Sequence, residues 1–148
     1  MWCARSCRRL GLGAFILVLL AACSSLLAPE RWQRIVGLIE IGGEMPPPVQ
    51  APNTVRAGER FTVTVVTYGS STCIRPAGAE VQVSDRTAEI TPYDEQATGE
   101  GVVCTDDLRP YPRDVTLRFD EAGQALIRVI GRSFSGPAEF ETSVVVQP

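Results

Sequence analysis

Arg113 to Ser133 reads RDVTLRFDEAGQALIRVIGRS, and the class of fold turns on this stretch. Val115, Leu117 and Phe119 alternate with Thr116 and Arg118, a period of two that gives an extended strand one apolar and one polar face. Asp120 to Gly123 then interrupts with turn residues, Gly123 being able to take a positive φ. Ala125, Ile127 and Val129 resume the alternation. The stretch predicts two half-buried strands joined by a short turn.

The same period recurs on both sides. In TVRAGERFTVTVVTYGS (54–70), Phe61, Val63, Val65 and Thr67 share one face, and in AEFETSVVVQ (138–147) Phe140, Thr142, Val144 and Val146 do so. Short strands are predicted around Val81–Val83 and Glu89–Thr91. Ile35 to Ile41 is a first strand, ended by Gly42 and Gly43. A helical stripe of Trp32, Ile35, Val36 and Ile39 competes there, but Gly37 and the β-branched content weigh against it. Pro46-Pro47-Pro48 breaks the chain, as a strand interruption or an extended spacer. About seven to nine short strands, with turns rich in Gly, Pro and Asp, predict an all-β, antiparallel β-sandwich.

Two short motifs carry a resemblance. The spacing F-x-x-A-G-x-A-x-I-x-V, Phe119 to Val129, resembles the penultimate-strand signature of bacterial immunoglobulin-like domains, and AGERFTVTV (57–65) resembles their early-strand entry. The resemblance implies an immunoglobulin-like β-sandwich over residues 35–148. Antibody-type features are missing, since no tyrosine lies four residues after Asp120 and no cysteine follows it.

The N-terminus predicts an address. Arg5, Arg8 and Arg9 precede the uncharged run LGLGAFILVLL (10–20), a basic n-region and an h-region too short to span a bilayer as a stable helix. The run ends in LAAC, Leu20 to Cys23, which resembles the lipobox of a bacterial lipoprotein precursor. That resemblance implies cleavage of a signal peptide (1–22), a diacylglycerol thioether on Cys23 and an N-acyl (palmitate) chain on the new terminus. Two or three acyl chains hold a domain on a membrane where one is marginal. Arg8-Arg9 is followed by Leu10-Gly11-Leu12, which suits Sec export better than twin-arginine export. Ser24 and Ser25 follow the cysteine, which favours the outer membrane if the cell is Gram-negative. Residues 23–34, including SSLLAPERWQ, read as a lipidated tether whose Trp32 either reaches the domain or lies at the membrane interface.

Cleavage before Cys23 removes 22 of 148 residues and leaves 126, enough for one domain with a core. Three of the 14 arginines go with the leader, leaving 11 against 17 acids, a net charge of −6. The chain contains no lysine. An acidic, lysine-free surface argues against nucleic acid as a partner, because phosphate binding needs a basic face. Histidine is absent too, which removes the commonest general base and transition-metal ligand and rules out Ser-His-Asp or Cys-His machinery within the chain.

Cys3 and Cys7 leave with the leader and Cys23 is lipidated, so Cys73 and Cys104 remain as an even pair in an oxidising compartment. A Cys73–Cys104 disulfide is expected, the alternatives being two free thiols or a metal site short of ligands. It would stabilise the fold by about 3–4 kcal/mol on the chain-entropy argument.

Acids gather at Glu89, Asp94, Glu95, Glu100, Asp106 and Asp107. Oxygen-rich loops of this kind bind calcium or a small ligand in some proteins, but no calcium-loop spacing is present, and solvated acidic loops are the ordinary outcome. Paired-carboxylate hydrolysis needs a cleft that so small a domain is not expected to form. We therefore expect no enzyme activity, no catalytic residue, no metal and no cofactor beyond the acyl chains. GVVCTDDLRPYPRD (101–114) is the most distinctive loop candidate. Prolines stiffen it, and Arg109, Tyr111 and Arg113 are residue types enriched at binding hot spots. The expected function is a membrane-anchored cell-envelope module that meets an envelope protein of unknown identity through these residues. The alternative is a small-ligand or calcium-binding domain using the acidic loops.

Overall fold

The computed structural model describes residues 31–40 and 46–148. Residues Trp32–Pro148 form a compact unit. The lipobox, Cys23 and residues 24–30 of the tether lie outside the described residues, as do Gly42 and Gly43. The strands are β1 (Arg31–Val36), β2 (Leu38–Glu40), β3 (Val49–Gln50), β4 (Thr54–Arg56), β5 (Arg60–Ser71), β6 (Ile74–Ser84), β7 (Thr87–Thr98), β8 (Asp106–Arg118), β9 (Gly123–Ser133) and β10 (Gly136–Gln147). No helix occurs among the described residues, so the chain is all-β there, as the period of two requires.

Two sheets share one core. The smaller is antiparallel, in the order β3-β5-β8, with β5 and β8 in register from Arg60 opposite Arg118 to Gly69 opposite Arg109. It contributes Val63, Val65, Val115 and Leu117 to the interior; Phe119, just past β8, joins them. The larger sheet runs β1-β7-β9-β10-β4, with β6 also on β7 and β2 also on β9. It contributes Ala88, Ile90, Ala125, Ile127, Val129, Val144 and Val146. The alternation read from the sequence therefore points its apolar faces at each other.

The expected antiparallel arrangement holds for the small sheet and fails for the large one, which is mixed. β7 and β9 pair in parallel from Thr87 opposite Leu126 to Ile90 opposite Val129. The reason is the path of the chain. After β7 it crosses to the other layer, runs back as β8 and returns as β9, so β7 and β9 share a direction. A parallel pair always needs such a crossover. β4 also lies parallel to β10, and β2 parallel to β9.

Beyond Ile90 a glycine stands between β7 and β9. The Gly37 amide donates to Pro92 O (2.8 Å), and Gly37 O accepts from the Arg132 amide (3.0 Å). β1 consequently pairs with β7, and β2 with β9. A side chain at this position has no room, since a Cβ would lie 2.5 Å from Thr67 Cγ2. The strand also starts earlier than expected, at Arg31 rather than Ile35, which puts Trp32 inside the sheet.

Strand β8 corrects a second expectation. Residues Asp106 to Asp114, read as part of a proline-stiffened loop, are strand paired to β5. Pro110 and Pro112 are tolerated because of register. The Val66 amide donates outward to Pro48 O (2.9 Å), so Val66 turns its backbone groups away from β8. Pro112, opposite Val66, and Pro110, opposite Tyr68, thus occupy non-hydrogen-bonded positions. Their missing N–H groups fall on the free edge of the sheet, where proline costs no ladder bond. The turn at Gly123 forms as expected, with φ at 130°.

Gly37→Ala should destabilise the domain by about 1–3 kcal/mol, the usual cost of forcing a methyl into a filled interior. Urea unfolding of the two proteins measures it, and an unchanged midpoint would mean that the approach of Gly37 to Thr67 is not a tight one.

Candidate functional site

The interior changes character along its length. On β8 the inward residues run Leu117, Val115, Arg113, Tyr111; on β5 they run Val63, Val65, Thr67, Gly69; on β7 they run Ala88, Ile90, Pro92, Asp94. Each strand passes from apolar to polar at the same level. Thr67 and Asp94 are fully buried, and the Arg113 side chain is only 10% exposed.

These three residues form one cluster. Arg113 Nη2 donates to Asp94 Oδ1 (2.7 Å) and to the Thr67 hydroxyl, which itself donates to Asp94 Oδ1 (3.1 Å). Arg113 Nη1 donates to Tyr93 O (2.6 Å) and Gly78 O (2.7 Å). Gly78, at φ 92°, sits in a β-bulge between Pro76 and Ala79, an irregularity that takes its carbonyl out of the β6–β7 ladder. Asp94 Oδ2 and Arg113 Nε are buried without a hydrogen-bond partner among the described residues. In a buried pair of this kind each side chain is the partner that keeps the other's charge from being stranded in the interior.

Tyr111 lies one step further along. Its hydroxyl donates to Ile74 O (2.6 Å), and its ring covers Gly69, where a Cβ would come within 2.6 Å of it. Partial burial raises the pKa of the phenol; Arg109 opposes the rise, and Asp107 and Asp94 add to it. The end of the domain is closed by the expected disulfide, Cys73–Cys104, with Cα atoms 5.5 Å apart. Beside it the Thr72 amide donates to Thr105 O (3.0 Å), and the Thr105 amide to Thr72 Oγ1 (3.1 Å).

The structure does not gather Arg109, Tyr111 and Arg113 on one exposed surface. Arg113 is turned inward, Tyr111 is half-buried, and Arg109 is exposed in an ion pair with Asp107. What β8 shows on its other face is Leu108 and Pro110, which with Pro46, Gln50, Val66 and Tyr68 line a shallow depression of about 330 Å³.

The acids are dispersed as well. Asp94 pairs with Arg113, Glu95 with Arg75 (2.7 Å), and Asp107 with Arg109. Glu89 lies 3.8 Å from Arg128, which also holds Glu139 (2.6 Å) and Glu141 (2.8 Å) on the outer face of the large sheet. These acids, the Glu141 hydrogen bond first, raise the Arg128 pKa further above its ordinary value. Among the described residues no three Cys, Asp or Glu side chains come together in a way that could hold a metal ion. Trp32 stacks under the Arg75 guanidinium (3.9 Å), and Tyr93 under that of Arg34 (3.6 Å).

Sequence reasoning missed Asp94 and Thr67 as partners of Arg113. A signal was present: Asp94 keeps the parity of Ala88, Ile90 and Pro92, so it falls on the inner face.

Asp94→Ala and Arg113→Ala should each cost about 3–5 kcal/mol, because either leaves an unpaired charge buried. The double variant should cost clearly less than the two together. Chemical denaturation of the four proteins measures this, and additive losses would mean that the pair does not act as a unit. Compared with known proteins, the chain matches no family model, no curated protein and no solved structure.

Proposed function

We propose that the chain is a membrane-anchored lipoprotein of the cell envelope whose β-domain serves as a non-enzymatic interaction or structural module. The observation that carries this reading is the lipobox Leu20-Ala21-Ala22-Cys23 behind a basic and apolar leader. Diacylglycerol on the Cys23 sulfur and an acyl chain on its amine would supply the two-signal attachment that stable tethering needs. In a Gram-negative cell the residues after Cys23 favour the outer membrane.

Several features of the domain support a non-enzymatic role. The sequence lacks histidine, and Asp94, Glu95 and Asp107 are each engaged by an arginine. That engagement also weighs against the calcium or small-ligand alternative, since a carboxylate held by a guanidinium is a poor cation ligand. We read the two-layer domain as immunoglobulin-like. The pairing of β5 with β8 and the β9–β10 hairpin suit that arrangement, while the parallel β7–β9 pair departs from two purely antiparallel sheets. For a partner in the envelope, Arg109 is the exposed member of the Arg109, Tyr111, Arg113 set, with Tyr111 and Arg113 fixing the strand that carries it.

Metabolic labelling with an alkyne palmitate in the expressing cell tests the anchor. The wild-type chain should take up label and sediment with membranes, while Cys23→Ala should take up none and keep its leader. Equal labelling of both would remove the lipoprotein reading.

A further inference from the structure

Sheet edges are where one chain recruits another, and this domain treats its edges unequally. β3 and β4 are two and three residues long, with prolines at 46–48 and at 52 around them. β8 presents Pro110 and Pro112 to its open side. β6 from Ala79 to Ser84 has none of these protections: it is proline-free and lysine-free, and among the described residues it pairs with β7 alone.

Register shows which groups this edge offers. Pro92 O accepts from Gly37, so Pro92 turns its backbone away from β6, and Ala79 opposite it occupies a non-hydrogen-bonded position. Val81, opposite Ile90, and Val83, opposite Ala88, follow by alternation. The N–H and C=O groups of Ala79, Val81 and Val83 therefore point out from the edge. Their side chains share the inner face with Ile90 and Ala88, which are fully buried, yet Val81 is 38% and Val83 47% exposed. An unblocked row of donors and acceptors carrying half-exposed valines is the kind of edge that soluble β-proteins normally protect.

We propose that β6 is a self-association edge, pairing antiparallel with β6 of a second copy of the chain about a two-fold axis at Val81. This register places Val81 against Val81 and Ala79 against Val83, so every outward-facing residue meets another and each such pair exchanges two backbone hydrogen bonds. Glu80 meets Gln82. Glu80 is the single charged side chain from Ala79 to Ser84, and no like charges are opposed, as cross-strand pairing requires. Its own charge is already met by Arg34 at 2.9 Å. Centring the axis on Glu80 would oppose two glutamates, and centring it on Gln82 would push Ala79 against Asp85 in the β6–β7 turn. The pairing is isologous and closes as a dimer. The inference is independent of the lipid anchor and of the role given to Arg109.

Cross-linking of the full chain in the expressing cell tests it. Paired residues at a hydrogen-bonded site have Cα atoms about 5.5 Å apart, within disulfide reach. Under mild oxidation Val81→Cys should therefore give a covalent dimer on a non-reducing gel. Ala79→Cys should cross-link to a differently tagged Val83→Cys and not to itself. In sedimentation of the detergent-purified chain, Val83→Lys should lower the dimer fraction at least tenfold, while its unfolding temperature matches wild type at a dilution where both are monomeric. A monomeric Val81→Cys, a Val83→Lys protein that still dimerises, or an adduct with a protein of another size would each overturn the proposal; the last would assign the edge to a foreign strand.

Discussion

Arg113 enters the interior between the two sheets and meets Asp94 at 2.7 Å, with Thr67 bonded to both and the carbonyls of Tyr93 and Gly78 on the other guanidinium nitrogen. Strands β5, β6, β7 and β8 are thereby fastened at one point. Buried ion pairs are weak sources of net stability, because desolvation consumes most of the Coulombic gain. Their effect here is on register. Sliding β8 by one residue along β5 would turn Arg113 out to solvent, leave Asp94 alone in the interior and move Val115 and Leu117 off the core. The bulge at Gly78 belongs to the same device, since it frees the carbonyl that Arg113 takes. With β8 so held, Tyr111 reaches Ile74 O and covers Gly69.

Placing β8 in the small sheet has a consequence for the large one. The chain returns from that layer already pointing the way β7 runs, so β9 joins β7 in parallel. The two strands keep company only as far as Ile90 and Val129. Past that point Pro92 has no amide to offer, and Gly37 supplies one to its carbonyl. The contact of Gly37 with Thr67 ties this junction to the buried charge cluster, so the mixed sheet and the polar interior meet at adjoining residues.

Much of this was legible in the sequence, because strand faces are a local property. Val63 with Val65, Val115 with Leu117, and Ile127 with Val129 declared their inner faces by alternation alone. The disulfide followed from counting the cysteines that remain once the leader is read as an export signal. What was not legible depends on partners distant in sequence. No local pattern says that β9 will lie beside β7, so a mixed sheet was read as antiparallel. Pro110 and Pro112 looked like loop residues, and only the Val66 bond to Pro48 shows that their nitrogens face an open edge. Arg113 looked like a surface anchor because arginine is usually exposed. Its burial depends on Asp94, which stands 19 residues earlier and was hidden among other acids.

The two halves of the interior do different work. Where Phe119, Ile127 and Val63 meet, burial of apolar area drives folding at about 25 cal/mol per Å², and that half requires no particular partner for any one side chain. The other half holds Thr67, Gly69, Asp94 and Arg113, which return little by that route and leave two polar atoms without a partner among the described residues. It lies beside the disulfide, which on the chain-entropy argument contributes about 3–4 kcal/mol without needing apolar surface. Cys73 and Cys104 thus stand where the core is weakest, on the turn and the loop that the ladder of β5 and β8 does not reach. The covalent bond lets the polar half serve register and orientation without also having to hold the domain closed.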